Sequence, residues 1–382
     1  MTQGYERTGG ARERSGPPPS RAAPGAAPSG GGHPPGNRWL RWLRWISAAA
    51  SWLLALFVAG HALALRWIGE DWWVTAVALY LPHWVLLLPI GALAITSLAL
   101  GPRLLLLLHA GAALIVLFPL MGLVVWGAAD ATVGAQRLRV VSYNVGNGSR
   151  SIPGMVEEIL ALQPDLVLLQ ESSPAVDEAV ANAFPSFSTW ASTQFFIASR
   201  GPIVDSYEPP KVQLAHDNRI DDRSARFVRA TVDTSLGKLD VYNVHPISPR
   251  EALTSIHDES FLGGLRSGDH SVISNNTALR RVQAETVARL AAASTLPVLI
   301  AGDTNLPQSS RILGDTLGKW QDGFSEVGFG LGYTFPVTRR GPWMRIDRIF
   351  AGPQLRFLQF GVGESLASDH HCVWAELELA AK

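Results

Sequence analysis

Three apolar runs, approximately residues 45–65, 74–100 and 104–126, each at least 20 residues long and free of Asp, Glu, Lys and Arg, dominate the first third of this 382-residue chain. About 20 apolar residues in an α-helix span the ~30 Å hydrocarbon core of a bilayer, so each run is long enough to cross a membrane. A cleaved signal peptide would need only one apolar core of about 7–15 residues and would leave the later runs unexplained. Trp39, Trp42 and Trp45 precede or open the first run, Trp67, Trp72 and Trp73 fall between the first two, and Trp126 closes the third. Such placement fits an interfacial aromatic belt. Gly101-Pro102-Arg103 between the second and third runs reads as a tight turn.

Residues 1–38 consist mainly of Gly, Pro, Ala, Ser and Arg; with so few large apolar side chains they cannot offset the entropy of ordering, and they are expected to be a disordered tail. Residues 39–130 then form the membrane unit. Seven arginines precede the first run (Arg7, Arg12, Arg14, Arg21, Arg38, Arg41, Arg44), whereas the first connection carries Arg66 beside Glu70 and Asp71. Positive flanks stay in the cytoplasm. The N-terminus is therefore expected inside, and three crossings deliver the rest of the chain outside, although Arg137 and Arg139 after the third run pull mildly the other way. His61, His83 and His109, one in each run, are read as interfacial or interhelical hydrogen-bonding groups rather than as a proton relay.

Charge and cysteine content exclude several classes of function. The single cysteine, Cys372, rules out an intrachain disulfide, a cysteine-based zinc site and a thiol redox pair. Residues 1–135 hold nine of the 32 basic and five of the 32 acidic residues, leaving 23 basic against 27 acidic for the remainder. A negative balance disfavours a sequence-independent DNA binder, whose affinity comes from Lys and Arg on phosphates.

From residue 136 to 382 the pattern changes to short β-rich runs alternating with helical ones. Strands are expected at 139–145, 165–170, 227–233, 239–244, 297–301, 346–350 and 372–379, and helices at 155–162, 175–183 and about 278–293. Polar residues recur at the strand ends. Asn144 ends Val-Val-Ser-Tyr-Asn, Glu171 follows Leu-Val-Leu-Leu-Gln, His245 ends Val-Tyr-Asn-Val-His, and Asp303 and Asn305 close Leu-Ile-Ala-Gly-Asp-Thr-Asn. Asp347 lies in Arg-Ile-Asp-Arg-Ile-Phe, and Ser-Asp-His-His (368–371) precedes the last strand. Any one of these alone reads as a turn, a cap or a satisfied core group. Strand ends that converge on one edge could instead form one pocket.

The ordered set, over about residues 139–379, resembles the endonuclease/exonuclease/phosphatase superfamily, which includes DNase I-like nucleases, inositol polyphosphate phosphatases and bacterial neutral sphingomyelinases. The resemblance implies a DNase I-like four-layer α/β sandwich, here preceded by three transmembrane helices. It implies further that Glu171 and Asn144, with Asp369, hold Mg²⁺ or Mn²⁺ through oxygen ligands. Asp303 would orient or deprotonate the attacking water, Asn305 and His245 would contact the phosphate, and His370, oriented by Asp347, would act as base or as donor to the developing charge. Arg200, in Ser-Arg-Gly-Pro-Ile, matches a segment whose basic residue approaches substrate. Thr304 stands where many members carry Phe. Of the adjacent His370 and His371, His370 is expected to face the pocket, and the connection 247–276 is expected to set selectivity.

The whole chain also resembles three-span actinobacterial members linked to teicoplanin-type glycopeptide resistance. That likeness implies an extracytoplasmic phosphoesterase with a phosphorylated, lipid-linked substrate such as undecaprenyl diphosphate. The alternatives are a surface-tethered DNA or RNA nuclease and, less favoured, a non-catalytic binding module. Nothing in the sequence points to a protein partner.

Overall fold

The computed structural model describes residues 38–192, 194–210, 225–250, 252–254 and 271–381. Apart from Arg38, the tail expected over 1–38 lies outside them, as do residues 251 and 255–270 of the connection expected at 247–276.

The chain enters on α1 (Arg38–Trp67), a continuous 30-residue helix. The second apolar run then divides. Its start forms the short α2 (Trp73–Ala78), a turn leads to Pro82, and only after a 3₁₀ turn at His83–Leu86 does α3 (Leu87–Leu100) resume the helix. Pro82 explains the break, because it lacks an N–H and disfavours the helical conformation of the residue before it. The third run forms α4 (Leu105–Ile115) and a π turn, Val116–Leu120, that contains Pro119. Arg38–Trp67 and His83–Leu100 are long and apolar enough to cross a bilayer, whereas Leu105–Leu120 is shorter.

A joint ties these helices to the rest of the protein. Glu70, 2% exposed, accepts hydrogen bonds from the Ser310 hydroxyl and, at 3.1 Å, from the Arg311 N–H. Asp71 pairs with Arg311 and with Arg281, each at 2.7 Å.

The remainder contains α5 (Ile152–Leu162), α6 (Pro174–Ala183), α7 (Ser271–Ala292), α8 (Arg311–Thr316) and α9 (Gly323–Val327). Among the described residues, two mixed six-stranded sheets form its centre. The first comprises β1 (Leu138–Asn144), β2 (Leu166–Gln170), β3 (Ser188–Ala191), β4 (Phe195–Ser199), β11 (Leu355–Val362) and β12 (Val373–Leu379), in the order β11-β12-β1-β2-β4-β3. The second comprises β5 (Ile203–Tyr207), β6 (Phe227–Thr234), β7 (Gly237–Val244), β8 (Val298–Asp303), β9 (Gln321–Asp322) and β10 (Asp347–Ala351), in the order β5-β6-β7-β8-β10-β9.

Alternation along the strands builds the layers, since successive side chains point to opposite faces. Leu138, Val140, Leu166 and Leu168 meet Val228, Val241, Leu299 and Ile349 between the sheets. Their neighbours Val141, Tyr143, Val167 and Leu169 face outward onto Met155 and Ile159 of α5 and Val176 and Val180 of α6. On the other side Tyr242, Val244, Ile300 and Phe350 pack on α7 and α8 through Ala284, Val287, Ile312 and Leu313. The result is a DNase I-like α/β core, helix–sheet–sheet–helix.

Two parallel pairs aim the functional residues. The β1–β2 register sets Asn144 beside Gln170, and the β7–β8 register sets Val244 beside Gly302. Asn144 and Glu171 thus leave one sheet at the same edge at which His245 and Asp303 leave the other. Antiparallel β10 begins there too, with Asp347 opposite Asp303.

Candidate active site

Where the two sheet edges meet lies a cavity of about 540 Å³ lined by Glu171, His245, Asp303, Asn305, Asp369 and His370, with Arg250, Phe335, Trp343, Met344 and Tyr80 on its walls. Beneath it the Gln170 amide donates to the Asn243 side-chain oxygen at 2.7 Å, and Asn243 donates to the Leu169 carbonyl at 2.9 Å. These buried bonds lock the two sheets in register under the site.

Asn144 is fully buried, and its amide nitrogen donates both to Glu171, at 3.2 Å, and to Asp303, at 3.0 Å. One side chain from the first sheet therefore holds a carboxylate from each sheet. Glu171 has a left-handed backbone, φ 48°, and so does Asn305, φ 52°. Non-glycine residues rarely adopt this conformation, and where they do the surroundings must hold them. For Asn305 its N–H donates to the Asp303 carboxylate at 2.9 Å, its amide donates to the Pro246 carbonyl at 3.0 Å, and its own carbonyl accepts from Tyr80 Oη at 3.1 Å. The preceding Gly302, φ 146°, admits the close approach of β7: a Cβ there would lie 2.0 Å from the Val244 carbonyl oxygen. Thr304 is buried, and its hydroxyl donates to the Ile346 carbonyl at 2.7 Å, fixing the turn without reaching the cavity.

His370 Nδ1 lies 2.9 Å from Asp347 Oδ2, and Nε2 lies 3.7 Å from Asp303. Burial opposes protonation of this ring, but Asp347, Asp303 and Asp369 outweigh it and push its pKa up to about 9. His245 behaves in the opposite way. Burial lowers it to about 4 despite Asp303 and Asp347, with Arg226 and His370 adding to the fall. Its Nδ1 is 2.9 Å from the Gln194 side-chain oxygen, and its Nε2 lies 3.4 Å from Glu171 and 3.7 Å from Asp303. Asp303 is raised above the ordinary carboxylate range by burial and by Asp347, against the pull of His370 and His245. One histidine is thus held charged and the other neutral over the same carboxylate.

Asp303, Asp347 and His370 each offer a ligand atom within 4.8 Å of the others, a metal-site-like group. The wider donor set suits a hard divalent cation. Glu171, Asp303, Asp347 and Asp369 converge, and among the described residues lining the cavity only His370 and Arg250 carry positive charge against them. Asn144, expected to be a metal ligand, instead turns its NH₂ to Glu171 and Asp303 while its oxygen accepts from the Gly146 N–H, so it orients the carboxylates. Such oxygen-rich sites take Mg²⁺, Mn²⁺ or Ca²⁺ in preference to zinc.

The structure brings Asn144, Glu171, His245, Asp303, Asn305, Asp347, Asp369 and His370 together. It separates Arg200 from them. Ser199 pairs with Leu166 at the start of β2, so Arg200 sits at the far end of the strand from Glu171, where it bonds Asp165 at 2.8 Å and covers the Phe187 ring. The substrate contact expected for Arg200 is therefore corrected: antiparallel pairing turns the residue away from the pocket. His371 also faces elsewhere, half-buried on the side of Ser365 and Glu158, and its N–H donates to the Thr334 carbonyl at 2.9 Å.

Sequence reasoning missed Tyr80, Gln194, Arg250, Phe335 and Trp343. Gln194 had a faint signal, as a polar residue just before the Phe-Phe-Ile-Ala-Ser strand. Arg250 lies in the connection expected to set selectivity, 3.4 Å from Asp369 and 5.8 Å from the Phe335 ring centre. Tyr80, inside an apolar run, had none.

Residues 141–370, more than half of the chain, match the family model described as Endonuclease/Exonuclease/phosphatase family. The chain belongs to this family. Among solved structures, a humanized D. rerio TDP2 carrying 14 mutations is 21% identical, with a TM-score of 0.46 over 63% of this chain and 99% of that one. An endonuclease/exonuclease/phosphatase from Beutenbergia cavernae is 19% identical (TM-score 0.45, 64% of this chain, 72% of that one), and a mannosyl-6-phosphatase from Bacteroides thetaiotaomicron is 18% identical (TM-score 0.45, 64% and 100%). No curated protein matches the chain by sequence. As a member of the endonuclease/exonuclease/phosphatase family with a buried Asp/His group, the protein is a phosphoesterase hydrolase.

Proposed function

We propose that residues 136–382 hydrolyse a phosphate ester or diphosphate of a cell-envelope lipid, such as undecaprenyl diphosphate, outside the cytoplasm, and that residues 39–130 anchor them by three crossings. The observation that carries the substrate reading is the make-up of the pocket. Beside its acidic residues the pocket is lined by Pro249, Leu253, Phe335, Trp343 and Met344, and its lining among the described residues includes one Arg and no Lys. A wall of this kind accepts an apolar group next to a phosphate. It lacks the basic stripe that a nucleic-acid backbone would require. The resemblance of the whole chain to actinobacterial members linked to teicoplanin-type resistance points the same way.

The joint supports the topology. Because Glu70 and Asp71 bond Ser310 and Arg311, the first connection and the catalytic unit share one side. In the proposed topology the segments 83–100 and 105–120 leave that side and return to it as a hairpin, with the Gly101-Pro102-Arg103 turn and Arg38, Arg41 and Arg44 together on the cytoplasmic side, as their positive charge favours. Arg137 and Arg139, the two residues that argued otherwise, are bound to Glu376 at 2.9 and 2.8 Å and serve the fold. Trp45 and Trp67 stand about 33 Å apart at 1.5 Å per helical residue, close to the ~30 Å hydrocarbon thickness.

In the reaction we propose, Asp303 orients the attacking water and takes its proton, a role that its raised pKa suits. The water oxygen bonds to phosphorus as the bond from phosphorus to the leaving oxygen breaks in line. His370, held as imidazolium by Asp347, donates to the phosphoryl oxygens as their charge grows. Asn305 holds the phosphate through its amide, and His245, whose Nδ1–H is taken by the Gln194 oxygen, has only its Nε2 left to face the phosphate and would donate there only on gaining a second proton. Glu171, with Asp369 beside it and steadied by the Asn144 amide, would hold Mg²⁺ or Mn²⁺, which would supply charge neutralisation to the phosphate.

Phosphate release by the purified full-length protein with Mg²⁺ or Mn²⁺ tests this reading, comparing undecaprenyl diphosphate with duplex and single-stranded DNA. Lipid turnover that is lost in Asp303→Ala and His370→Ala is expected. DNA cleavage without lipid turnover would make the protein a tethered nuclease.

A further inference from the structure

Tyr80 reaches the catalytic pocket from the wrong part of the chain. It lies two residues after the end of α2, on the connection between the first two long apolar helices, 225 residues before Asn305, to whose carbonyl oxygen its hydroxyl donates at 3.1 Å. Three contacts hold Asn305 in its left-handed backbone, and the other two, with Asp303 and Pro246, come from its own domain. Tyr80 supplies the third from the anchor.

Tyr80 is itself fastened on several sides. Its carbonyl accepts from the Trp343 indole at 3.2 Å, and the buried Arg280 guanidinium covers its ring at 5.6 Å. Just upstream, Ala76 of α2 packs against Ala252 and Ile273, at the two ends of the connection beside the pocket. The Glu70–Ser310 and Asp71–Arg311 bonds clamp the segment at its start. A segment so fastened can transmit position to Asn305. A free loop could not.

We infer that Tyr80 is a positioning residue of the catalytic centre, and that the connection between the first two apolar helices is a built part of the active site rather than a tether. The inference rests on the phosphoesterase reading given above, in which Asn305 holds the phosphate. It follows that the phosphate is hydrolysed at the level of this connection.

The test uses the full-length chain in detergent and the variants Tyr80→Phe, which loses only the hydroxyl, Trp343→Phe, which loses the indole donor, and Asp303→Ala. Turnover is followed on p-nitrophenyl phosphate and on undecaprenyl diphosphate, and backbone hydrogen exchange is followed by mass spectrometry. Losing one hydrogen bond to a strained catalytic turn is expected to lower kcat by about three- to tenfold, with KM unchanged, and Trp343→Phe should lower it less. In Tyr80→Phe the peptide covering 302–307 should exchange faster while the β8 interior, 298–301, stays protected. Uniformly faster exchange would mark general destabilisation and overturn the inference, as would unchanged exchange at 302–307. Unchanged turnover in Tyr80→Phe while Asp303→Ala is inactive would overturn the inference alone. Retained turnover in Asp303→Ala would instead sink the catalytic reading on which it rests. Exchange at 302–307 decides the matter even if neither substrate is turned over.

Discussion

The two regions of the chain place the same apolar side chains in opposite surroundings. In the sandwich Leu138, Val140, Leu166, Leu168, Val228, Leu239, Val241 and Leu299 are at most 1% exposed. In the helices Leu53, Leu88, Ile95 and Leu107 keep 62–71% of their surface open. The helical bundle buries only a narrow seam, through Val58, Leu65, Ile90, Ala112 and Val116, with Ser47, Ser51 and Ser97 among the buried polar residues. Small and hydroxyl residues at helix contacts, with large apolar ones facing out, are what helices do when the surrounding solvent is lipid. The sandwich relies on water to drive its apolar residues inward. What joins the two regions is polar: Glu70 and Asp71 on one side, Ser310, Arg311 and Arg281 on the other.

The comparison is sharpest in activity, because the chemistry lies wholly on the sandwich side apart from Tyr80. Asp303→Ala or His370→Ala is expected to lower kcat by about 10²- to 10⁴-fold, whereas Leu107→Ala should leave turnover in detergent unchanged. Chelation should abolish turnover and Mg²⁺ or Mn²⁺ should restore it, with Glu171→Ala raising the metal concentration needed for half-maximal rate. Loss of activity in Leu107→Ala would break the division.

Stability should divide in the same way. Leu168→Ala opens a cavity between the sheets and is expected to cost about 2–5 kcal/mol. Leu107→Ala, on an exposed helix face, should change the unfolding free energy by less than about 0.5 kcal/mol in the same detergent. Denaturant midpoints of the two variants measure the contrast. Similar losses would mean that the helices have a packed core of their own on that face.

A smaller effect is expected in pH dependence. His370 is held up to about 9 by Asp347, Asp303 and Asp369 against burial, so a rate that needs the imidazolium holds below that pH and falls above it. Asp347→Asn removes the nearest anion, which lowers the histidine pKa; the alkaline limb should therefore move down by about 1–3 pH units. The folding linkage has the same sign. A folded-state pKa above the ordinary ~6.5 gives stability that is full below ~6.5 and is lost as pH rises through the folded value. An alkaline limb that stays in place in Asp347→Asn would assign it to another group.

Much of the sandwich was legible because its inner strands are short apolar runs that end in functional polar residues. The expected strands at 139–145 and 239–244 differ from Leu138–Asn144 and Gly237–Val244 by two residues or fewer at each end. The strands β3, β4, β5, β9 and β11 went unread; β4, Phe195–Ser199, is buried throughout and was passed over despite its apolar run, and β9 is only two residues long. Ser188–Ala191 and Ile203–Tyr207 are half-buried or exposed throughout, so no apolar pattern marks them, and Leu355–Val362 carries a bulge that breaks its alternation. The split of the run 74–100 was hidden for a different reason. Leu79, Tyr80 and Leu81 look like membrane residues by composition, and only the bonds of Tyr80 to Asn305 and Trp343 show that the segment meets the catalytic unit. Tyr80 was invisible for the same cause: a hydroxyl in an apolar run shows where it points only once the fold is known.

Arg200 shows how a resemblance in residue type can mislead when pairing direction decides position. It resembles a residue that approaches substrate, yet β4 runs antiparallel to β2 and carries Arg200 to the edge opposite Glu171. There its pair with Asp165 is open to water, with Arg200 62% and Asp165 30% exposed. Exposed pairs of this kind contribute about 0–1 kcal/mol, and the ring of Phe187 below adds a cation–π contact of similar size, about 0.5–1 kcal/mol. Arg200→Ala should therefore shift the unfolding midpoint slightly and leave both kcat and KM unchanged. A tenfold rise in KM with unchanged stability would mean that substrate reaches across the first sheet to its far edge, a length that an apolar tail lying in the membrane would not explain and a nucleic-acid strand would.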